Sequence, residues 1–285
     1  MMDGKYLQGI RTLESLCKTA SKLSIATSGR EVSTWREAYG SHIFGKICLT
    51  GIAILKLLPQ SVFYFAPKGL EVWDISSVCI LTRSLIDTYN VFHYLIIQKV
   101  ENEELEFRFV LWNLHSETER LKMLELSKSK SEKLEKIKQY VESLKEKLGD
   151  NKFYQKLDLK EQKKCCTGEK GIYLKNTDIS RNAGINPDYY KSTYKYLSQY
   201  VHTYPFSISQ IIPFKADDTE SQKLFKPIIG YCTGYLCVST RDFVNIFPDQ
   251  SGNIPSEIIK TIEDWEYIMR NIFSDPTGAA PTSNV

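Results

Sequence analysis

Residues 74–98 read DISSVCILTRSLIDTYNVFHYLIIQ, and this stretch decides the fold. Asp74 is a suitable helix cap, since its carboxylate can accept from the first free backbone N–H groups. Val78, Leu81, Leu85, Thr88, Phe92 and Leu95 recur at steps of three and four, the spacing of one helix face. Ile86, Tyr89 and Ile96 extend the apolar surface to the neighbouring faces. A helix that is apolar on most sides belongs in the middle of a bundle. Yet this one also carries Arg83, Asp87 and His93.

The flanking sequence keeps the same period. An N-terminal stripe of Leu7, Ile10, Leu13, Cys17 and Ala20 is broken at Thr27-Ser28-Gly29-Arg30. A second helix then runs from Trp35 to Leu58, with Ser33 as its cap and Pro59 as its stop. The link from Gln60 to Leu70, with Pro67 and Gly69, reads as a loop. A fourth helix spans Glu103–Leu126, and Ser127-Lys128-Ser129-Lys130 is a turn. The next helix carries Leu134, Ile137, Val141, Leu144 and Leu148, the seam of an antiparallel hairpin.

Residues 165–186 read as irregular, and Asn186 or Pro187 starts a tyrosine-rich helix that Pro205 ends. Residues 211–222 form a loop, and a helix follows from Ser221 to Phe247. In it Gly230 and Gly234 permit close approach of a neighbour. A last amphipathic helix spans Ser256–Phe273, with Ile259, Ile262, Glu266 and Met269 on successive turns beside Trp265. No strand period stands out. The expectation is an all-α multi-helix bundle: one domain over residues 1–274, a lysine-rich hairpin and loop at 127–170 projecting from it, and a flexible tail at 275–285.

Composition sets limits on function. The 285 residues are 42% hydrophobic and 25% charged, with a net charge of +3. That balance suits a globular chain and is too weakly basic to argue for nucleic acid alone. The seven cysteines are odd in number and include no C-x-x-C pair, against a zinc site or a secreted disulfide framework. The apolar runs Ile43–Pro59 and Pro227–Val238 fall short of the roughly 20 uninterrupted residues of a span. A cytoplasmic location without membrane association is expected.

Phosphate-loop, dinucleotide, H-E-x-x-H and G-x-S-x-G patterns are absent, so no cofactor or metal is expected. From Lys122 to Lys175, 15 Lys face 9 Asp and Glu. This segment is either a solvated helical face, with Glu132 and Lys136 an i,i+4 pair, or a patch for an acidic partner such as nucleic acid. A homodimer or a protein partner is also open.

Three polar sets interrupt the apolar helices. Arg83 and Asp87 share a face at i,i+4, as a structural ion pair or as a guanidinium offered to an anion. Tyr194, Ser198 and His202 share another. His202 is there a general base or acid, or a cation stabilised at a helix C-terminus. Arg108 and His115, with six residues between them, resemble the R-x(4–6)-H motif of HEPN ribonucleases. That resemblance implies activation of a ribose 2′-hydroxyl without metal, at a dimer interface. Phe109 stands where that family usually has a polar residue.

Arg83-Ser-Leu-Ile-Asp87 and Tyr94-Leu95, with the later Tyr194-x-x-Leu-Ser198-x-x-Val-His202, resemble a mostly bacterial helical family, domain of unknown function 5677. Its usual pattern is an R-x-x-x-E helix and a downstream Y-x-x-L-S-x-x-V-H helix. Asp87 replaces the common Glu and shortens the reach of the carboxylate. The resemblance covers residues 35–205 and implies an all-helical fold, without an established reaction.

Two functions follow as expectations. One is a helical binding or regulatory protein in which Arg83, Asp87, Ser198 and His202 form a buried polar cluster, in a bacterial defence or stress setting. The other is a HEPN-like ribonuclease or toxin using Arg108 and His115, or Arg83 and His202.

Overall fold

The computed structural model describes residues 3–68, 70, 72–128, 133–216 and 218–273, and within them the secondary structure is helical with no strand. The loop glycine Gly69, the turn residues Ser129 and Lys130, the Glu132–Lys136 pair and the tail 275–285 lie outside the described residues. The chain divides into two compact units, residues 1–97 with 177–285, and residues 98–176. The lysine-rich segment falls within the second unit, which starts earlier, at Gln98, and so takes in the fourth helix.

The first unit is built from long helices. α1 spans Gly4–Thr27 and α2 Trp35–Leu57. Thr34, not Ser33, caps α2, its hydroxyl accepting from the Glu37 backbone N–H. Ser33 has the reciprocal part: the Glu37 carboxylate accepts from its N–H at 2.8 Å. Pro59 follows directly on Leu58, the C-cap, because it cannot continue the ladder. α3 covers Ile75–Phe92, with Asp74 accepting from Ser77 N–H at 2.9 Å, and runs on through a π-helical turn at His93–Ile97.

Later come α8 (Asn176–Asn182), α9 (Pro187–Val201), α10 (Pro205–Ile211), α11 (Thr219–Ile246) and α12 (Ser256–Asn271). α8 lies where the sequence reads as irregular. It has fewer than two turns and so no periodic stripe to betray it.

α3 and α11 form the centre of this unit. α3 packs on α2, α9 and α11, and α11 packs on α1, α2, α3 and α12. Phe44 of α2 stacks on Phe243 of α11 at 3.9 Å between ring centroids. The glycines of α11 let α12 close in: a Cβ on Gly234 would lie 2.8 Å from Met269 Sδ. The inward face of α12 is Ile258, Ile262 and Met269. Ile259, expected on that face, is exposed.

α2 is the one helix among the described residues with the length and composition to cross a membrane, 23 residues in all. Core helices pass the same test, and α2 buries Phe44, Ile47, Cys48, Ile54 and Leu55.

The second unit holds α4 (Asn102–Leu126), α5 (Lys133–Asp150), α6 (Lys152–Lys156) and α7 (Leu159–Cys166). The seam residues Ile137, Val141, Leu144 and Leu148 of α5 are buried with Phe107, Val110, Leu111 and Leu114 of α4. Amphipathic α5 thus hides its stripe on α4 and leaves its lysines in water.

Candidate functional site

The tyrosine-rich helix α9 begins where the sequence places it. Asn186 accepts from the N–H groups of Asp188 and Tyr189, and Pro187 occupies the first turn, where its missing donor costs nothing. It ends earlier than expected. α9 stops at Val201, His202 is its C-cap, and Thr203 takes φ 52°. Pro205 does not end α9; it starts α10.

Within α9, Tyr194 and Ser198 are one turn apart and meet Arg83 of α3. The Arg83 Nη1 donates to Ser198 Oγ at 3.2 Å, and Nη2 donates to the Tyr194 hydroxyl. The guanidinium carbon lies 3.7 Å from the centroid of the Tyr194 ring, a cation–π contact. Nε faces Asp87 Oδ2 at 3.5 Å. Ser198 Oγ donates in turn to the Tyr194 carbonyl at 2.6 Å. Nη1 and Nη2 are thus hydrogen-bonded within the chain, while the buried Nε has the Asp87 charge beside it but no hydrogen bond.

The same atoms set the electrostatics. Burial raises the Asp87 carboxyl above its ordinary range, while Arg83, the Tyr194 hydroxyl and Lys46 of α2 pull it back down. Burial raises the Tyr194 phenol too, and the Asp87 charge adds to the rise. Asp87 remains 44% exposed, so the cluster is open on its carboxylate side.

His202 does not join it. The helix has ended, and its exposed imidazole lies against the Tyr204 ring at 5.3 Å. Arg108 and His115 belong to the second unit, two turns from each other on α4. Arg108 is 1% exposed and bonds Glu104 Oε1 at 3.0 Å and Gln98 Oε1 at 3.1 Å. The Tyr173 hydroxyl donates to the same Glu104 oxygen at 2.7 Å. His115 Nδ1 pairs with the Gly168 carbonyl at 2.9 Å. Both groups of this pair are thus tied to atoms of their own unit.

With this geometry in place, one comparison decides the family. The model of a family of unknown function, DUF5677, matches residues 37–220. The chain belongs to the DUF5677 family. No curated protein and no solved structure matches it. The DUF5677 match spans α2 to the first residues of α11 and so contains both halves of the Arg83 cluster.

One polar set escaped the sequence reading. Asp242 of α11 is 1% exposed. It accepts from Tyr89 of α3 at 3.0 Å and from Arg241 Nε at 2.8 Å, and Arg241 also bonds Glu266 of α12. Burial raises the Asp242 carboxyl, against the pull of Arg241 and Tyr89. The only signal was the charged pair Arg241-Asp242 at the end of an apolar run.

Among the described residues no three of His, Cys, Asp and Glu are grouped to hold a metal. Burial pushes the Cys48 and Cys232 thiols up to about 12, so neither is poised as a thiolate.

Proposed function

We propose that this DUF5677 chain is a helical binding or regulatory protein that pairs with a second copy of itself through the strip Thr203–Phe214. One observation carries the reading. Tyr204, Phe206, Ile208, Ile211 and Ile212 are all more than a third exposed on and around the short helix α10. Contiguous exposed apolar surface of this kind marks an interaction site. No residue from Thr203 to Phe214 carries a charge. An uncharged strip meets its own copy across a two-fold axis without like-charge repulsion. The Arg83 cluster fixes α9, and α9 leads directly into this strip.

Light scattering after size exclusion tests the reading. Wild type runs as a dimer and Ile208→Glu/Ile212→Glu as a monomer of unchanged helicity. A monomeric wild type at high concentration ends it.

A second reading, metal-independent RNA cleavage, draws on the exposed imidazole of His202, one turn beyond Ser198. Total RNA from cells expressing wild type is degraded on this reading and intact with His202→Ala. Intact RNA in both excludes it.

A further inference from the structure

α1, the following link and α2 border a half-open pocket of about 640 Å³. Its wall on α2 is one helix face, where Ala38, Ser41 and Gly45 are small and leave room. His42 and Lys46 stand on that face one turn apart, both exposed. Among the described residues neither side chain has a hydrogen bond or ion pair, and Lys46 lies near enough to Asp87 for its charge to be felt there. Arg30 on the link adds a guanidinium, already engaged by Asp249 at 2.7 Å and by the Ala26 carbonyl.

No Asp or Glu lines the cavity. The Lys46 ammonium, the His42 ring nitrogens and the hydroxyls of Ser24, Ser28 and Ser41 together make a site for an anion with several acceptor oxygens. The remaining wall is aliphatic. Ile25 and Leu49 are 73% and 69% exposed there, and no Phe, Tyr or Trp lines the pocket to stack a base.

We propose that this cavity binds a phosphate monoester carrying an aliphatic chain. The headgroup sits between His42, Lys46 and the serine hydroxyls, and the chain lies along Ile25 and Leu49. The same chemistry is offered by a free alkyl phosphate and by an anionic lipid headgroup. This site shares no residue with the α10 strip, so its fate is independent of the self-association reading.

Titration calorimetry on the full chain with hexyl phosphate, inorganic phosphate and hexanol tests it. Hexyl phosphate binds more tightly than either other probe, because it alone offers both charge and chain. Lys46→Met and His42→Gln each weaken hexyl phosphate about tenfold, and Leu49→Asn weakens it while leaving inorganic phosphate unaffected. All three positions are exposed, so the fold survives, and circular dichroism checks it. Sedimentation with phosphatidylcholine vesicles, with and without phosphatidic acid, identifies the source. Pelleting only with phosphatidic acid, lost in Lys46→Met, assigns the site to a lipid surface; hexyl phosphate binding without pelleting assigns it to a soluble ester. Failure of both hexyl phosphate and vesicles to bind overturns the proposal, as does binding that Lys46→Met and His42→Gln leave unchanged.

Discussion

Replacing Arg83 by Met removes the guanidinium and keeps most of the apolar stem. Two charge-assisted hydrogen bonds are lost, to Ser198 and Tyr194. Each such bond contributes about 1.5–3 kcal/mol when well buried. Here the Arg83 side chain is 17% exposed, and solvent screening lowers each to about 1 kcal/mol. The pairing with half-exposed Asp87 adds under about 1 kcal/mol. Little is stranded by the change, because Ser198 Oγ still donates to the Tyr194 carbonyl. The expected loss is about 2–3 kcal/mol.

Tyr194→Phe keeps the ring beneath the guanidinium and loses one bond, costing about 1 kcal/mol. In the double variant that bond is already gone, so the two costs fall short of additivity by about 1 kcal/mol. Arg83→Lys recovers less than half, since an ammonium cannot reach Ser198, Tyr194 and Asp87 at once. Amide hydrogen exchange reads the effect where it acts: protection of α9 in Arg83→Met falls roughly 30- to 150-fold, the equivalent of 2–3 kcal/mol. Strict additivity of the two substitutions, or unchanged α9 protection in Arg83→Met, refutes the latch.

Asp242→Asn isolates a buried titration. The folded-state pKa is raised, so the native state holds this proton more tightly than the unfolded chain. Its contribution is greatest below the ordinary carboxylate range and is lost as pH rises through the folded value. The stability of Asp242→Asn relative to wild type therefore improves from about pH 4 to about pH 7 in urea titrations; a flat difference contradicts the raised value. Arg108→Met leaves Glu104 without its guanidinium inside the second unit, costing about 3–5 kcal/mol by chemical denaturation, where a surface arginine would cost under about 1. Gly234→Ala forces a methyl to within 2.8 Å of Met269 Sδ and 3.1 Å of the Trp265 ring. Overpacking of this kind costs about 1–3 kcal/mol, read as a lowered Tm, whereas Gly149→Ala, with nothing within 4 Å, does not destabilise.

The meeting of α3 with α9 was legible because both helices advertise a need. An arginine on a mostly apolar helix requires a partner, and the later Tyr194–Ser198 pair supplies hydroxyls at helical spacing. The Tyr89–Asp242 bond gave no such notice. Tyr89 fits the apolar period of α3, and its partner lies 153 residues away on a helix that meets it only after the bundle has assembled. The short helices α6, α7, α8 and α10 were illegible for a different reason. At five to eight residues each they complete about two turns at most, too few for a repeating apolar face, and tertiary packing rather than propensity holds them.

His202 shows where spacing arguments stop. Residues i and i+4 share a face only while the helix continues. Ser198 lies inside α9 and reaches Arg83. His202 is the cap: its backbone φ and ψ of −101° and 6° are no longer helical, and Thr203 then turns into the left-handed region. The last residue of the Tyr-x-x-Leu-Ser-x-x-Val-His signature is thereby placed at the exposed junction between α9 and the apolar strip of α10. Its position favours a part in what docks there over a part in the Arg83 cluster. On the self-association reading, His202→Glu places a charge at the edge of the uncharged strip. The dimer then weakens, while α9 retains wild-type hydrogen-exchange protection because the latch is untouched. Loss of α9 protection in His202→Glu with the dimer intact would return the histidine to the cluster.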